Sequence, residues 1–149
     1  MKRVPNNISE ANIRILVIDQ DPKSFRSIEK IAYLMPISTV FYVCNDTREG
    51  SLILEKIEEN LFPNILIVDL DENTVENLQF VRKLRSRPAT SDLPVLGFAA
   101  GTDEQTANAA YQRGIEDILS KDDSREVIRA NIEILFAHWF EHSEIYFVE

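Results

Sequence analysis

The 149-residue chain carries 25 acidic and 16 basic residues, a net charge of −9, and 44% of its residues are hydrophobic. This length and composition fit one globular domain. The acidic balance argues against nucleic acid as the main partner, because phosphate backbones need clustered lysine and arginine. No run approaches the ~18 apolar residues of a membrane span, and the single cysteine, Cys44, cannot form an intrachain disulfide. We therefore expect a cytoplasmic protein that binds neither nucleic acid nor a membrane.

Five short apolar segments recur along the chain, and each has the length and the β-branched or aromatic content of a β-strand. In chain order they are IRILVID, TVFYVCN, NILIVDL, PVLGFAA and IEDILSK. Runs such as ILVI and ILIV are apolar without alternation, which is typical of strands buried on both faces.

Amphipathic segments separate these strands and predict helices. Pro22 suits the first turn of the helix after the first strand, and Pro36 is expected to end that helix. Asp46 and Glu49 have capping-box spacing at the start of the second helix.

The later helices have similar signals. The third is marked by apolar residues at helical spacing, which are Val75, Leu78, Val81 and Leu84. The fourth is predicted to begin with a capping box between Thr102 and Gln105 and to end at Gly114. The last is predicted to begin near Asp123.

Strands that alternate with helices imply right-handed crossovers and a parallel sheet covered on both faces. We therefore predict an α/β fold with a doubly wound, five-stranded parallel sheet. A single domain is predicted to span residues 1–149, with its core at about 12–135 and an extension of the last helix to about 142. In such sheets, ligands bind beyond the carboxyl ends of the strands.

Charged residues stand at the ends of three of these strands. Asp19 follows the first strand, Asp69 ends the third with Asp71 two residues later, and Lys121 ends the fifth. If the sheet places these strands side by side, two carboxylates and an ammonium converge. Carboxylates so close repel each other unless a cation lies between them, and their hard oxygens suit Mg²⁺. A carboxylate can also attack phosphorus to form an acyl phosphate, whose oxygens the ion and the lysine would neutralise.

A simpler interpretation exists for each aspartate alone. An aspartate after a strand is often a turn former or a helix cap, and Asp21 before Pro22 fits that role. For Asp19, Asp69 and Lys121 together, a functional site is the better interpretation.

The order of these segments resembles the receiver domain of two-component response regulators, from about Arg14 to the last helix. ILVIDQDP is similar to the family's first strand with its acidic pair, and PNILIVDL to the strand that bears the phosphoacceptor. PVLGFAA to IEDILSK is similar to the fourth strand, fourth helix and lysine strand. The resemblance implies a flavodoxin-like fold. It also implies that Asp69 is the phosphoacceptor and a Mg²⁺ ligand, and that Lys121 contacts the phosphoryl group. Asp19 would be a metal-site acid, and Asp71 would supply a backbone carbonyl to the metal.

The sequence departs from the family pattern at several of these positions. Gln20 stands at the second acid position and offers a neutral oxygen, and Ala99 stands where a Thr or Ser would bind a phosphoryl oxygen. The other departures are Ile118 at the switch aromatic, Asp122 at the proline after the lysine, and Asn73 and Asn77 at a proline and a glycine of the loop after the phosphoacceptor. We therefore expect weak Mg²⁺ binding and either weak phosphorylation or an atypical receiver that acts through protein contacts. Without proline, the bond between Lys121 and Asp122 should be trans.

An enzyme interpretation is the alternative. Asp19 and Asp21 form a D-x-D that resembles the first motif of haloacid-dehalogenase-type phosphohydrolases, with Asp19 as the nucleophile. Lys23 stands where that family has Thr or Val, and no insertion is long enough for a substrate cap. In the receiver interpretation the chain is no enzyme beyond Mg²⁺-dependent self-phosphorylation from a donor.

The resemblance implies a histidine kinase or phosphotransfer protein and a downstream protein as partners. The last helix suggests a second copy of the chain as another. Ile128 and Ile132 are expected to cover the sheet, whereas the later part of the helix carries an apolar stripe of Leu135, Phe136, Trp139 and Phe140. Exposed apolar surface of this kind marks an interface, so we predict a homodimer through this helix.

Overall fold

The computed structural model describes residues 13–34 and 38–142. Within these residues the strands are β1 (Ile13–Ile18), β2 (Thr39–Cys44), β3 (Ile65–Asp69), β4 (Val95–Ala99) and β5 (Asp117–Ser120). The helices are α1 (Pro22–Tyr33), α2 (Thr47–Lys56), α3 (Thr74–Arg85), α4 (Glu104–Arg113) and α5 (Arg125–His142), with a 3-10 turn at Glu59–Leu61. The alternation of strands and helices is therefore the predicted one.

The strands form one parallel sheet in the order β2-β1-β3-β4-β5. This order confirms the parallel α/β fold and places β1 beside β3. The condition that the first, third and fifth strands lie side by side is met only for the first and third, because β4 separates β3 from β5. The side chain of Lys121 must therefore pass the end of β4 to reach the residues that follow β3.

Two apolar clusters cover the two faces of the sheet. On one face, Phe25 and Ile28 of α1 and Ile128 and Ile132 of α5 pack against alternate residues of the strands. On the other face, α2, α3 and α4 cover a second cluster that contains Leu16, Ile18, Cys44, Leu66, Val68 and Val95. Because both faces are covered, the carboxyl edge of the sheet is where polar side chains can lie.

Helix α3 departs in one respect from the predicted pattern. It buries Leu78, Val81 and Leu84 as expected, but Val75 is 66% exposed. Phe80 is buried instead and joins the second cluster. Val75 lies in the first turn of α3, and the buried residues of this helix begin at Asn77.

The helix caps agree with the sequence signals at three of four ends. Asp46 accepts the amide of Glu49 at 2.9 Å, and Gly114 ends α4 in the left-handed conformation at φ 108°. The predicted start of α4 was one residue early: Asp103, not Thr102, accepts the amide of Thr106 at 2.6 Å. An ionised carboxylate is a stronger acceptor than a hydroxyl at this position. At the last helix, Ser124 accepts the amide of Val127, and α5 begins at Arg125.

The structure tests the predicted trans peptide bond after Lys121, whereas two other predictions concern residues or side chains that it does not describe. No cis peptide bond occurs in the described residues, so the bond between Lys121 and Asp122 is trans, as predicted. Pro36, expected to end α1, lies outside the described residues. The side chains of the predicted stripe Leu135, Phe136, Trp139 and Phe140 also lie outside them. Among the helices that the structure describes, none combines the length and the apolar character needed to cross a membrane.

Candidate functional site

Asp19 and Asp69 lie next to each other at the carboxyl edge of the sheet. Ile18 pairs with Val68 in the register of β1 and β3, so the residues that follow these two occupy adjacent strand ends. Both aspartates are only 3% exposed. The amide of Asp21 donates to Oδ1 of Asp19 at 2.8 Å, so this turn fixes the first carboxylate.

Lys121 brings an ammonium to this edge from two strands away. Its backbone amide donates to the carbonyl of Ala99 at 2.7 Å, which fixes the turn after β5 to the end of β4. Its Nζ lies 2.7 Å from Oδ1 of Asp69 and 5.4 Å from the centre of the Phe98 ring. The long lysine side chain thus spans the end of β4 and joins β5 to β3.

The Asp69 carboxylate is held on both oxygens. Lys121 binds Oδ1, and the backbone amide of Glu72 donates to Oδ2 at 3.0 Å. The side-chain amide of Asn77 donates to the backbone carbonyl of Asp69 at 2.7 Å and to that of Glu72 at 3.4 Å. Asp69 therefore has a fixed position at the end of a buried strand.

Sequence reasoning missed the role of Asn77. This residue is only 4% exposed and fastens the loop after β3 to the first turns of α3. In the sequence, this role was indicated by the position of Asn77: it is a polar residue directly before Leu78, on the side of α3 that faces the core. The family resemblance marked the position only as a substituted glycine.

Burial and the short contacts of the site shift the pKa values of Asp19 and Lys121. Burial raises the pKa of Asp19 to about 6, and the charge of Asp69 adds to the rise, while the hydrogen bond from Asp21 opposes it. Burial lowers the pKa of Lys121, but the hydrogen bonds and charges of Asp69 and Asp71 outweigh it and raise that pKa above its usual value. Lys121 is therefore charged at neutral pH.

The Asp71 side chain has a role that the sequence did not predict. Both of its carboxylate oxygens accept the backbone amide of Ala100, at 3.1 and 3.0 Å, and its Oδ2 lies 2.7 Å from Nζ of Lys121. The contact joins residues 29 and 50 positions apart. It depends on how three strand ends meet, which local sequence patterns do not specify.

The remaining substituted positions surround this site. Gln20 is exposed beside Asp19, and Ala99 is buried with only a methyl group to offer. Ile118 is half-buried against the second cluster, and Asp122 is exposed. Asn73 adopts the left-handed conformation at φ 53° directly before α3, which asparagine tolerates better than most residues.

The donor set fits a weakly held Mg²⁺. Two buried carboxylates on adjacent strands provide hard oxygen ligands, and Mg²⁺ typically uses one or two carboxylates and keeps several waters. Within residues 13–34 and 38–142, no three acidic, histidine or cysteine side chains form a metal-binding group. The neutral Gln20 adds no negative charge to the two carboxylates, which fits weak binding of the ion.

Comparisons with known proteins agree with this geometry. A model of the family described as the response regulator receiver domain matches residues 15–133. A 14.6 kDa protein from the sodA1 3′ region of Leptolyngbya boryana is 27% identical over 120 residues, which cover 80% of this chain and 87% of that protein.

Solved receiver structures share the fold. The phosphorylated cyanobacterial phytochrome response regulator RcpA superposes with a TM-score of 0.71 at 14% identity, over 91% of this chain and 99% of that one. The receiver domain of the sensor histidine kinase PA1611 from Pseudomonas aeruginosa PAO1, solved with magnesium in its active site cleft, has a TM-score of 0.68 at 16% identity, over 88% and 99%. These findings support the receiver interpretation and give no support to the phosphohydrolase alternative. With the family match over most of its length, the chain belongs to the response regulator receiver domains of two-component signalling.

Proposed function

We propose that Asp69 accepts a phosphoryl group, slowly and with Mg²⁺, and that this modification governs contacts with a downstream protein. The observation that carries the proposal is the buried Asp69 carboxylate with Nζ of Lys121 at 2.7 Å and Asp19 on the adjacent strand end. A fixed carboxylate beside a fixed cation is suited to nucleophilic attack on phosphorus.

The transfer requires one bond to form and one to break. An oxygen of Asp69 bonds to phosphorus while the bond from phosphorus to the donor breaks, and the donor leaves with that electron pair. With acetyl phosphate the leaving group is acetate. Lys121 offsets the charge of the phosphoryl oxygens, and the amide of Glu72 holds the second carboxylate oxygen of Asp69 in place.

Asp19 and Asp69 are the side chains that would hold Mg²⁺, with the backbone carbonyl of Asp71, the side-chain oxygen of Gln20 and water as further ligands. When bound, the ion would offset negative charge on the phosphoryl oxygens. Divalent ions are present in related receivers, Mg²⁺ in that of PA1611 and Mn²⁺ in the response regulator Rcp1. Binding here should be weak because Gln20 supplies no charge.

Two substitutions make slow transfer the expected behaviour. Gln20 reduces the charge available to the metal, and Ala99 offers no hydroxyl to a phosphoryl oxygen. The expected donors are a histidine kinase or a phosphotransfer protein, which are the partners of receiver domains in two-component signalling. A cytoplasmic location remains a prediction.

Intact mass after incubation with acetyl phosphate and Mg²⁺ tests the proposal. We expect slow addition of one phosphoryl group that needs millimolar Mg²⁺ and is absent in Asp69→Asn. Peptide mapping of the trapped acyl phosphate should place it on Asp69. A label on Asp19 would contradict the proposal and favour the phosphohydrolase mechanism.

The complementary test replaces Gln20 by an aspartate, the acid that the family pattern has at this position. Gln20→Asp should tighten Mg²⁺ binding by about 1–2 kcal/mol, the scale of one added charge in a partly solvated site. The control Gln79→Glu adds the same charge to the exposed side of α3 and should leave Mg²⁺ binding unchanged. If neither the native chain nor Gln20→Asp is labelled at any Mg²⁺ concentration, the chain acts as an interaction module without phosphate.

A further inference from the structure

The side chain of Asp71 connects the ends of three strands. Asp71 follows β3, and its carboxylate accepts the amide of Ala100, which follows β4. The same Oδ2 lies 2.7 Å from Nζ of Lys121, which follows β5. The Asp71 side chain is 29% exposed and that of Lys121 15%, so this contact is partly shielded from water.

The two groups that Asp71 binds, the amide of Ala100 and the ammonium of Lys121, are hydrogen-bond donors that an anion attached to Asp69 would need. Nζ of Lys121 lies 2.7 Å from Oδ1 of Asp69 as well, so any group bonded to that carboxylate meets an ammonium that Asp71 already engages. A phosphoryl group has three terminal oxygens that need donors. Ala99 contributes only a methyl group there, and the next amide along the chain, that of Ala100, is taken by Asp71.

The negative charge of Asp71 also opposes a phosphoryl group on Asp69. The carboxylate of Asp71 and a phosphoryl group on Asp69 are both negative, and a single ammonium lies between them. Like charges so close repel strongly in a partly buried site. The Asp71 carboxylate therefore has to leave its position, or share Lys121 at a cost, when Asp69 is modified.

We propose that Asp71 is an internal anion that occupies the place of the phosphoryl group. Without phosphate it holds Lys121 and the segment that begins at Ala100 and leads to α4, and it slows the modification of Asp69. The competition between Asp71 and a phosphoryl group for Lys121 rests on the proposed phosphorylation of Asp69. The hold of Asp71 on Ala100, through the hydrogen bond from the Ala100 amide, is present in the unmodified chain. Asp71 is thus a regulatory residue of this site in addition to the carbonyl role that the family resemblance implies.

The test compares Asp71→Ala with Glu76→Ala. Glu76 is an exposed acid in the first turn of α3, directly after the same loop, and it makes no contact that the proposal uses. With acetyl phosphate and Mg²⁺, Asp71→Ala should be labelled on Asp69 about tenfold faster than the native chain, because an adjacent negative charge is removed. Glu76→Ala should stay within about twofold of the native rate, because its side chain is solvated.

A second measurement needs no phosphodonor. Amide hydrogen exchange should show that Ala100 loses protection by about tenfold or more in Asp71→Ala, while amides within β3 and β4 keep theirs. Asp71→Asn should retain part of the protection, since its side-chain oxygen can still accept the amide.

The two measurements separate the possible failures. If Asp71→Ala is labelled no faster than the native chain, the competition is overturned; unchanged protection of Ala100 overturns the hold on that segment. If Asp69 stays unlabelled in every variant, including Gln20→Asp, the proposed function fails together with the competition. Loss of protection at Ala100 would still support the hold of Asp71 in that case.

Discussion

Asp19 is a buried carboxyl group, and we expect its charged form to destabilise the fold when no cation is bound. Burial raises its pKa to about 6 in the folded chain, against about 3.9 in an unfolded one. The folded state therefore binds more protons between these values. The stabilising contribution of the protonated form is complete below about pH 4 and is lost as the pH rises through about 6.

Asp19→Asn should consequently stabilise the metal-free protein at pH 8. The gain should be about 1–3 kcal/mol, since two pKa units correspond to about 3 kcal/mol at most. It should shrink through pH 6 and vanish near pH 4. Urea unfolding in EDTA across this range measures the effect, with Glu55→Gln, an exposed position of α2, as the control. A variant that is less stable at pH 8 would show that the charged carboxylate is favourable in the fold.

At the scale of single residues, sequence reasoning found the charged groups but not all their contacts. Asp19, Asp69 and Lys121 were identifiable because each follows an apolar strand, and strand ends meet at one edge of a parallel sheet. The hydrogen bonds of Asn77 and of the Asp71 side chain were not predicted. They depend on loop conformations and on side-chain directions that follow from the folded structure.

At the scale of elements, Arg85 fastens the end of α3 to two neighbouring connections. Its guanidinium donates to the carbonyls of Ser91 at 3.0 Å and of Leu93, both between α3 and β4. It also donates to the carbonyl of Gly114 at 2.6 Å, in the turn before β5. Five donors in a planar group allow one residue to bind these carbonyls together.

Arg85→Ala should lower the free energy of unfolding by about 2–4 kcal/mol, because several partly buried carbonyls lose their donor. Arg85→Lys should recover less than half of the loss, since an ammonium cannot reproduce the planar set of donors. Urea denaturation measures both, and Arg82→Ala, at an exposed position of the same helix, should change stability by about 0.5 kcal/mol or less. Equal stability of the lysine variant and the native chain would argue for charge alone.

The elements also show where sequence information ends. Periodicity and capping residues predicted the strands, and those helix ends that they marked within the described residues, to within about two residues, as local signals can. The position of β4 between β3 and β5 was not predicted. Strand order depends on contacts between segments far apart in the chain, and a single sequence shows no such pairing.

At the scale of the whole molecule, α5 is the longest of the described helices. Helices α2, α3 and α4 are 10 to 12 residues long and cover one face. On the other face, α5 has 18 residues and continues for ten residues, about 15 Å, beyond Ile132. Ile128 and Ile132, which are buried, lie in the first half of the helix.

We predict that the second half of α5 forms a homodimer. Phe136 and Phe140 continue the spacing of Ile128 and Ile132, and Trp139 lies beside them in the sequence pattern. Trp139→Glu should weaken the dimer at least about tenfold, because tryptophan at the centre of an interface contributes strongly to binding. Sedimentation velocity from low to high micromolar concentration measures the association. Ile134→Glu is the control, since Ile134 is 68% exposed on another side of the same helix. A native chain that stays monomeric throughout this range, or a dimer that Trp139→Glu leaves unchanged, would contradict the prediction, and the apolar stripe would then cover the chain's own core.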